Sequence, residues 1–402
     1  MSKLSLRDLS VKDKKVLMRV DFNVPLDEKQ NITDDTRITA TLPSICNVLD
    51  RGGALILMSH LGRPKGKRVQ EMSLAPCAKR LSQLLSKEVL FASDCVGPDV
   101  EQKVNTLKSG QILLVENLRF HRAEEHPEED PIFAQQLASL GDVYVNDAFG
   151  AAHRAHASIV PVAKAFPGKA AAGFLLEKEI RFLGDLLMHP KRPFYAIIGG
   201  SKISTKCGVI RMLMEKADAV LLGGGMTYTF MKAQGLPIGN SICEDDFLDR
   251  ARELIALSNQ GKGRLLLPKD IVIATELKEG APHHVIKCAE GIPDGYEGVD
   301  IGPDTVQAYA AELRVASTVL WNGPVGVFEV SEFARGTNAI AHILSQIKAT
   351  SIVGGGDSIA AVRAAGVADK MTHLSTGGGA SLEYIEFGTL PGIEVLTDVV
   401  QR

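Results

Sequence analysis

Short, apolar runs rich in β-branched residues alternate with longer amphipathic stretches along the whole chain. Residues 16–20, 55–58, 112–115, 143–145, 195–198, 219–222, 265–267, 318–321 and 351–353 read as buried strands. Runs this short and this continuously apolar suit a parallel sheet covered on both faces. The stretches between them are long enough for the crossover helices that parallel neighbours require. The pattern therefore predicts an α/β fold of the doubly wound, parallel-sheet kind, without a short-period repeat. Residues 167–173 are small and loop-like; after them Leu176, Ile180, Leu183 and Leu187 form one apolar helical stripe. Pro190 and Pro193 end it. A helix between two sheets reads as a connector between domains, and the alternative is an ordinary crossover within one large sheet.

Composition narrows the class. The chain has 402 residues, a length that suits two or three domains, with 45% apolar and 23% charged residues, as in ordinary globular proteins. A net charge of −3 provides no global field toward nucleic acid or a membrane surface, so any anion site must be local. The first residues lack the apolar stretch of a secretory signal, and no apolar run approaches membrane-spanning length. The six cysteines form no CxxC pair, which argues against a zinc ribbon and for thiols in a reducing, cytoplasmic setting.

Ligands of open α/β sheets bind beyond the carboxyl ends of the strands, and those ends differ in kind between the two halves. In the first half they are polar and basic. From Val16 to Asn23 the chain alternates, with Met18, Val20 and Phe22 on one face and Arg19, Asp21 and Asn23 on the other. Ser59, His60, Leu61, Gly62 and Arg63 follow the second run; Glu116, Asn117, Leu118 and Arg119 follow the third; His153 and Arg154 follow the fourth. With Arg37 these supply one rim with guanidinium groups, whose planar fork suits phosphate and carboxylate oxygens. Each arginine alone is more simply a surface ion pair, but their recurrence at corresponding places points to an anion site. His121 and His126, beside Glu124, Glu125, Glu128, Glu129 and Asp130, read as a solvated loop.

The second half ends its strands in glycine: Gly199-Gly200-Ser201-Lys202, Gly223-Gly224-Gly225, Gly354-Gly355-Gly356-Asp357 and Gly377-Gly378-Gly379. Glycine turns that open helices present backbone N–H groups to phosphate. Lys202 and Lys206 are expected to share one helix face and serve a polyphosphate, and Asp357 is placed to hold the Mg²⁺ bound to it. Tight turns and close helix–sheet packing are the competing explanation for each run. No Walker A loop, GxGxxG or GxSxG is present.

In their order along the chain, these residues resemble the phosphoglycerate kinase family. The similarity is carried by Val16-Leu17-Met18-Arg19-Val20-Asp21-Phe22-Asn23-Val24-Pro25, Ser59-His60-Leu61-Gly62-Arg63-Pro64, Glu116-Asn117-Leu118-Arg119-Phe120, Asn146-Asp147-Ala148-Phe149-Gly150, Trp321-Asn322-Gly323-Pro324-Val325-Gly326-Val327-Phe328-Glu329 and Ser375-Thr376-Gly377-Gly378-Gly379-Ala380. The resemblance implies two Rossmann-like domains facing a cleft and joined by a connecting helix. Residues 1–172 would bind 3-phosphoglycerate, and 173–390 would bind nucleotide, with the connector at 173–190. The tail 391–402 would return to the first domain. It implies reversible phosphoryl transfer from 1,3-bisphosphoglycerate to ADP, with Mg²⁺ accompanying the nucleotide, hinge closure, no general base and a monomeric, cytoplasmic enzyme.

By the same resemblance Asp21, Phe22 and Asn23 would contact the glycerate, and Arg37, His60, Leu61, Gly62, Arg63, Arg119 and Arg154 would bind its phosphate and carboxylate. Lys202 and Lys206 would hold nucleotide phosphates, Gly223, Gly224 and Gly298 would line the adenosine pocket, and Glu329 would take the ribose hydroxyls. Asn322, Gly354, Gly355, Gly356, Asp357 and Ser358 complete the nucleotide set, with Asp357 on the metal. Arg37, Lys202, Gly355 and Gly378 would serve the transferring group itself. One departure is visible: Glu386-Phe387-Gly388-Thr389 stands near where the family usually carries Glu-Gly-Lys.

Overall fold

Each of the nine runs read as a strand forms one, and each lies in a parallel sheet. The computed structural model describes residues 3–261 and 263–399. The chain divides into two units, Met1–Arg181 with Thr389–Arg402, and Phe182–Gly388.

The first unit is built on six strands: β1 (Lys15–Val20), β2 (Ala54–Met58), β3 (Val89–Phe91), β4 (Ile112–Leu114), β5 (Val143–Asp147) and β6 (Ala170–Ala172). They run parallel in the order β3-β4-β2-β1-β5-β6. β1 pairs with β2 from Lys15 opposite Ala54 to Arg19 opposite Met58, and with β5 from Val16 opposite Val143 to Val20 opposite Asp147. That register brings the ends of β1, β2 and β5 to one edge, where the basic loops leave the sheet. The apolar core residues Val16, Met18, Leu55, Leu57 and Val145 are all fully buried. Burial of one such side chain contributes about 1.5–3 kcal/mol.

β6 corrects the reading of residues 167–173 as loop. Its three alanines are buried at the sheet edge, where Ala172 N donates to Leu4 O at 2.8 Å and Leu6 N donates to Ala172 O at 2.9 Å. The C-terminal segment packs beside it: Thr397 N donates to Ala170 O at 3.0 Å, and Asn146 Nδ2 to Gly392 O at 3.0 Å. Tertiary pairing on the outer side overrides the weak strand propensity of alanine.

The second unit holds a six-stranded parallel sheet made of β7 (Phe194–Ile198), β8 (Ala219–Leu222), β9 (Leu265–Leu266), β13 (Thr318–Asn322), β14 (Thr350–Gly354) and β15 (His373–Ser375), in the order β15-β14-β13-β7-β8-β9. A three-stranded antiparallel sheet, β11-β10-β12, is added by β10 (Asp270–Ala274), β11 (His283–Lys287) and β12 (Glu297–Ile301). The division between units falls inside the helix Phe174–Met188, on which Leu176 and Leu183 are fully buried. Asp147, the last residue of β5, accepts from the N–H groups of Leu175 (2.9 Å) and Leu176 (3.2 Å) and so caps this helix.

Candidate active site

In the first unit the loops leaving β1, β2, β4 and β5 bring most of the expected ligands together. Asp21, just past β1, is buried and accepts a charge-assisted hydrogen bond from Arg37 Nη1 at 2.5 Å. Burial alone would raise this carboxyl, but Arg37 and Arg19, with the N–H of Asn23, outweigh it and hold it below its usual value. Asn23 Oδ1 accepts from Gly62 N at 2.9 Å, so the β1 and β2 loops brace one another. Phe22 is fully buried, and its N–H donates to Ser59 Oγ at 2.8 Å. Phe22 and the buried Leu61 therefore support the loops from below.

Arg119 reaches back from the β4 loop, with Nη1 donating to Gly62 O at 2.9 Å and Nε 3.2 Å from Glu125 Oε1. Arg63 and Arg154 are exposed, and among the described residues no carboxylate pairs with either. The density of positive charge is visible in His156: burial, then Arg119, Arg19 and Arg154, push it down to about 3. His60 is likewise held well below the usual histidine range by burial, with Arg19, Arg119 and Arg37 adding to the shift and Asp21 opposing it. A rim with this surplus of cations attracts multivalent anions.

The loop read as solvated contains one deeply buried acid. Glu124 is fully buried, accepting from Ser158 N at 3.0 Å and Ser158 Oγ at 2.7 Å, with Arg19 Nη2 3.8 Å away. Arg19 is fully buried too, so the polar face of β1 points into a charged interior cluster, not into solvent. Two interior charges can be kept only if paired and hydrogen-bonded. The run of acids hid this, because nothing in the composition separates Glu124 from the exposed Glu128 and Glu129.

In the second unit the glycine turns follow β7, β8, β14 and β15, and the last three open the helices Met226–Ala233, Gly356–Ala364 and Gly379–Phe387. A cavity of about 300 Å³ is lined by Gly200, Gly224, Gly298, Glu329 and Asp357 together with the apolar Ile242, Leu277 and Val299. Gly298 admits no side chain, since a Cβ there would lie 2.2 Å from the Tyr228 ring. Gly355 has φ +93° and Gly378 φ +53°, left-handed values that favour glycine. The remaining expected residues support this rim without lining the cavity. Gly223 is packed against Val325, Gly354 ends β14, and Gly356 opens its helix. The buried Ser358 Oγ accepts from Gly323 N at 2.6 Å.

The lysines do not share a helix face. Both precede the helix Cys207–Lys216, with Lys206 at its N-cap, because the chain turns through residues 201–206 before the helix begins. Lys202 is exposed, whereas Lys206 folds inward and its Nζ donates to Gly199 O at 2.5 Å and to Asn322 Oδ1 at 3.0 Å. Burial lowers this amine to about 8, with Asp357 opposing the shift. The apolar walls Ile242 and Leu277 escaped sequence reasoning because they come from loops without a motif. Their signal lies in exposure, since each is a large apolar side chain 50% exposed.

The phosphoglycerate kinase family model matches residues 6–387. The phosphoglycerate kinase of Moorella thermoacetica is 56% identical over 398 residues, covering 99% of this chain and 100% of that protein. That of Chlorobium limicola is 54% identical over 401 residues, again covering 99% of this chain and 100% of its own length. Among solved structures, phosphoglycerate kinase from Coxiella burnetii superposes with a TM-score of 0.87 at 39% identity, covering 98% of both chains. The Pyrococcus horikoshii enzyme gives 0.84 at 31% identity, also over 98% of both. Two parallel α/β sheets, a cationic rim and a glycine-backed cavity agree with these matches, and the chain belongs to the phosphoglycerate kinase family, enzymes that transfer a phosphoryl group reversibly from 1,3-bisphosphoglycerate to ADP in glycolysis.

Proposed function

We propose that this chain holds the glycerate substrate on the first unit and MgADP or MgATP on the second, and that motion of the units brings the two substrates together for transfer. One observation carries the reading: the anion-binding groups divide by kind between the units. Guanidinium and imidazole groups converge around Asp21, Arg37, His60 and Arg119 in the first, while glycine backbone, Lys206 and Asp357 gather at one sheet edge in the second. Arg63 and Arg154, lacking acidic partners among the described residues, would take phosphate oxygens, and Asn23 would join Asp21 on the glycerate.

Mg²⁺ enters with the nucleotide as part of the substrate. Asp357, a carboxylate in the first turn of its helix and on the wall of the cavity, suits a hard cation bridging phosphate oxygens. Glu329 on the same wall would accept from the ribose hydroxyls. Gly298 and Gly224, with Ile242 and Leu277, would leave a flat apolar slot for the base.

The attacking group is anionic in both directions, a carboxylate or a nucleotide phosphate, so no general base is needed. The buried histidines agree with this, because His60 and His156 are both depressed and therefore weak bases. Catalysis then consists of positioning and charge stabilisation of a loose phosphoryl transition state. Arg37, Lys202 and the backbone at Gly355 and Gly378 would supply that stabilisation. The enzyme would work as a cytoplasmic monomer; no helix among the described residues is long and apolar enough to cross a membrane. Steady-state kinetics of Arg37→Ala test the assignment. A fall in kcat of about 10²–10³-fold is expected for loss of a transition-state donor. A rise in KM for 3-phosphoglycerate with kcat intact would assign Arg37 to ground-state binding instead.

A further inference from the structure

The first unit contains a buried charge cluster behind His60 that the reaction as described above does not use. Arg19 leaves β1 fully buried, with Nε donating to Ser158 Oγ at 2.9 Å and Nη1 donating to Val20 O. Its Nη2 lies 3.8 Å from Glu124 Oε1 and 3.1 Å from His60 Nδ1. Ser158 in turn donates from both its N–H and its hydroxyl to Glu124. Glu124, Ser158, Arg19 and His60 thus form one chain of polar contacts running from the interior to the rim.

The chemistry of the last link is one-sided. A guanidinium carries donors only, so the nitrogen facing it must present a lone pair. His60 Nδ1 is then the acceptor, and the neutral ring carries its proton on Nε2. Among the described residues nothing accepts from that Nε2–H, which leaves it available to an incoming oxygen. The charged groups facing the ring are Arg19, Arg37, Arg119 and Asp21, three cations against one anion. This set opposes a second proton on the ring.

We propose that Arg19, anchored by Glu124 and Ser158, is a positioning residue that locks His60 as the neutral Nε2–H tautomer, so that His60 binds the acceptor substrate as a directed hydrogen-bond donor and not as a cation. The inference rests on the reading that His60 meets 3-phosphoglycerate. It differs from the simpler expectation that a histidine in an anion site contributes positive charge. A neutral donor of fixed direction keeps substrate binding independent of histidine ionisation across the working pH range, while the arginines provide the charge.

The test is nitrogen NMR of the full-length protein labelled in its histidines, with the His60 signals assigned by their loss in His60→Gln. The expected spectrum shows Nε2 protonated, Nδ1 unprotonated, and no titration of His60 between pH 5.5 and 8, a window of about one unit or more around the ordinary histidine value. Arg19→Lys keeps the charge but loses the fork, and Ser158→Ala removes the hydroxyl that aligns both Arg19 and Glu124. Either variant should mix the tautomers and raise KM for 3-phosphoglycerate about tenfold, the scale of one charge-assisted hydrogen bond, with KM for MgATP unchanged and kcat nearly so. Wild-type His60 protonated on Nδ1, or titrating near its ordinary value, would overturn the proposal without any variant having to fold. So would variants that disturb the tautomer and leave KM alone. If His60→Gln itself leaves KM for 3-phosphoglycerate unchanged, the placement of His60 at the substrate fails, and the spectrum shows separately whether Arg19 sets the tautomer.

Discussion

Lys206 is a partly buried amine through which the fold would act on the proposed nucleotide. Its Nζ is satisfied by Gly199 O and Asn322 Oδ1, and burial lowers it to about 8 from an ordinary 10.5. The folded protein therefore releases this proton as pH rises through about 8, while the unfolded chain holds it until about 10.5. Between those values the unfolded state binds more protons, so this group makes stability rise with pH there and is most unfavourable to folding below 8. On the proposed reading a bound polyphosphate would favour the charged amine and reverse the shift. Calorimetry of MgATP binding at pH 9, in buffers of different ionisation enthalpy, should register proton uptake in the wild type and little in Lys206→Arg, whose charge is permanent. Wild-type binding without uptake would contradict the role of Lys206. At this scale the sequence was informative where a candidate side chain follows a strand end, as for Asp21, His60, Arg119 and Asp357, whereas Arg37 comes from the first turn of the helix Thr36–Asp50. It misread Glu124 as part of a solvated loop and did not show that Arg19 is buried, because burial of a charge depends on distant partners such as Ser158. It also misread Lys206 as sharing a helix face with Lys202, because the inward turn depends on where the helix begins.

At the scale of elements, the helix Phe174–Met188 is fixed to the first sheet by Asp147, whose buried carboxylate caps it through two N–H groups. Burial raises this carboxyl to about 7, with the Ser44 hydroxyl and the N–H groups of Leu176 and Leu175 only partly offsetting it. Its unfolded value is 3.8, so between about 4 and 7 the folded state binds more protons and stability falls as pH rises. Above 7 the contribution levels off. Asp147→Asn keeps an oxygen acceptor for the cap and cannot titrate. Denaturant unfolding at pH 5 and pH 8 should show the variant gaining on the wild type as pH rises; an equal difference at both values would mean that Asp147 does not titrate in this window. Nine of the parallel strands were legible because burial on both faces leaves continuous apolar runs. The three-residue β3, β6 and β15 were too short to signal themselves, and the antiparallel β10, β11 and β12 went unread, β11 being largely exposed. The antiparallel sheet brings Gly298 and Glu297 to the cavity wall.

At the scale of the molecule, a net charge of −3 means that anion recognition rests on local concentration of charge, and the two concentrations belong to different units. The division was legible as a change in chemistry along the chain, from guanidinium-rich to glycine-rich strand ends. Its exact place was not, because the helix that spans it is continuous in pattern and the division falls at Arg181 and Phe182, within the helix itself. Phosphoryl transfer in a dry, positioned site requires the substrates to be brought together and water expelled. On the proposed reading each substrate alone contacts one unit, so binding energy for that motion would be available only when both are present. Solution X-ray scattering of the protein free, with 3-phosphoglycerate, with MgADP, and with both measures this directly without turnover. The radius of gyration should fall clearly in the complex with both ligands and by less with either one. A radius that stays the same in all four states would contradict assembly of the site by closure.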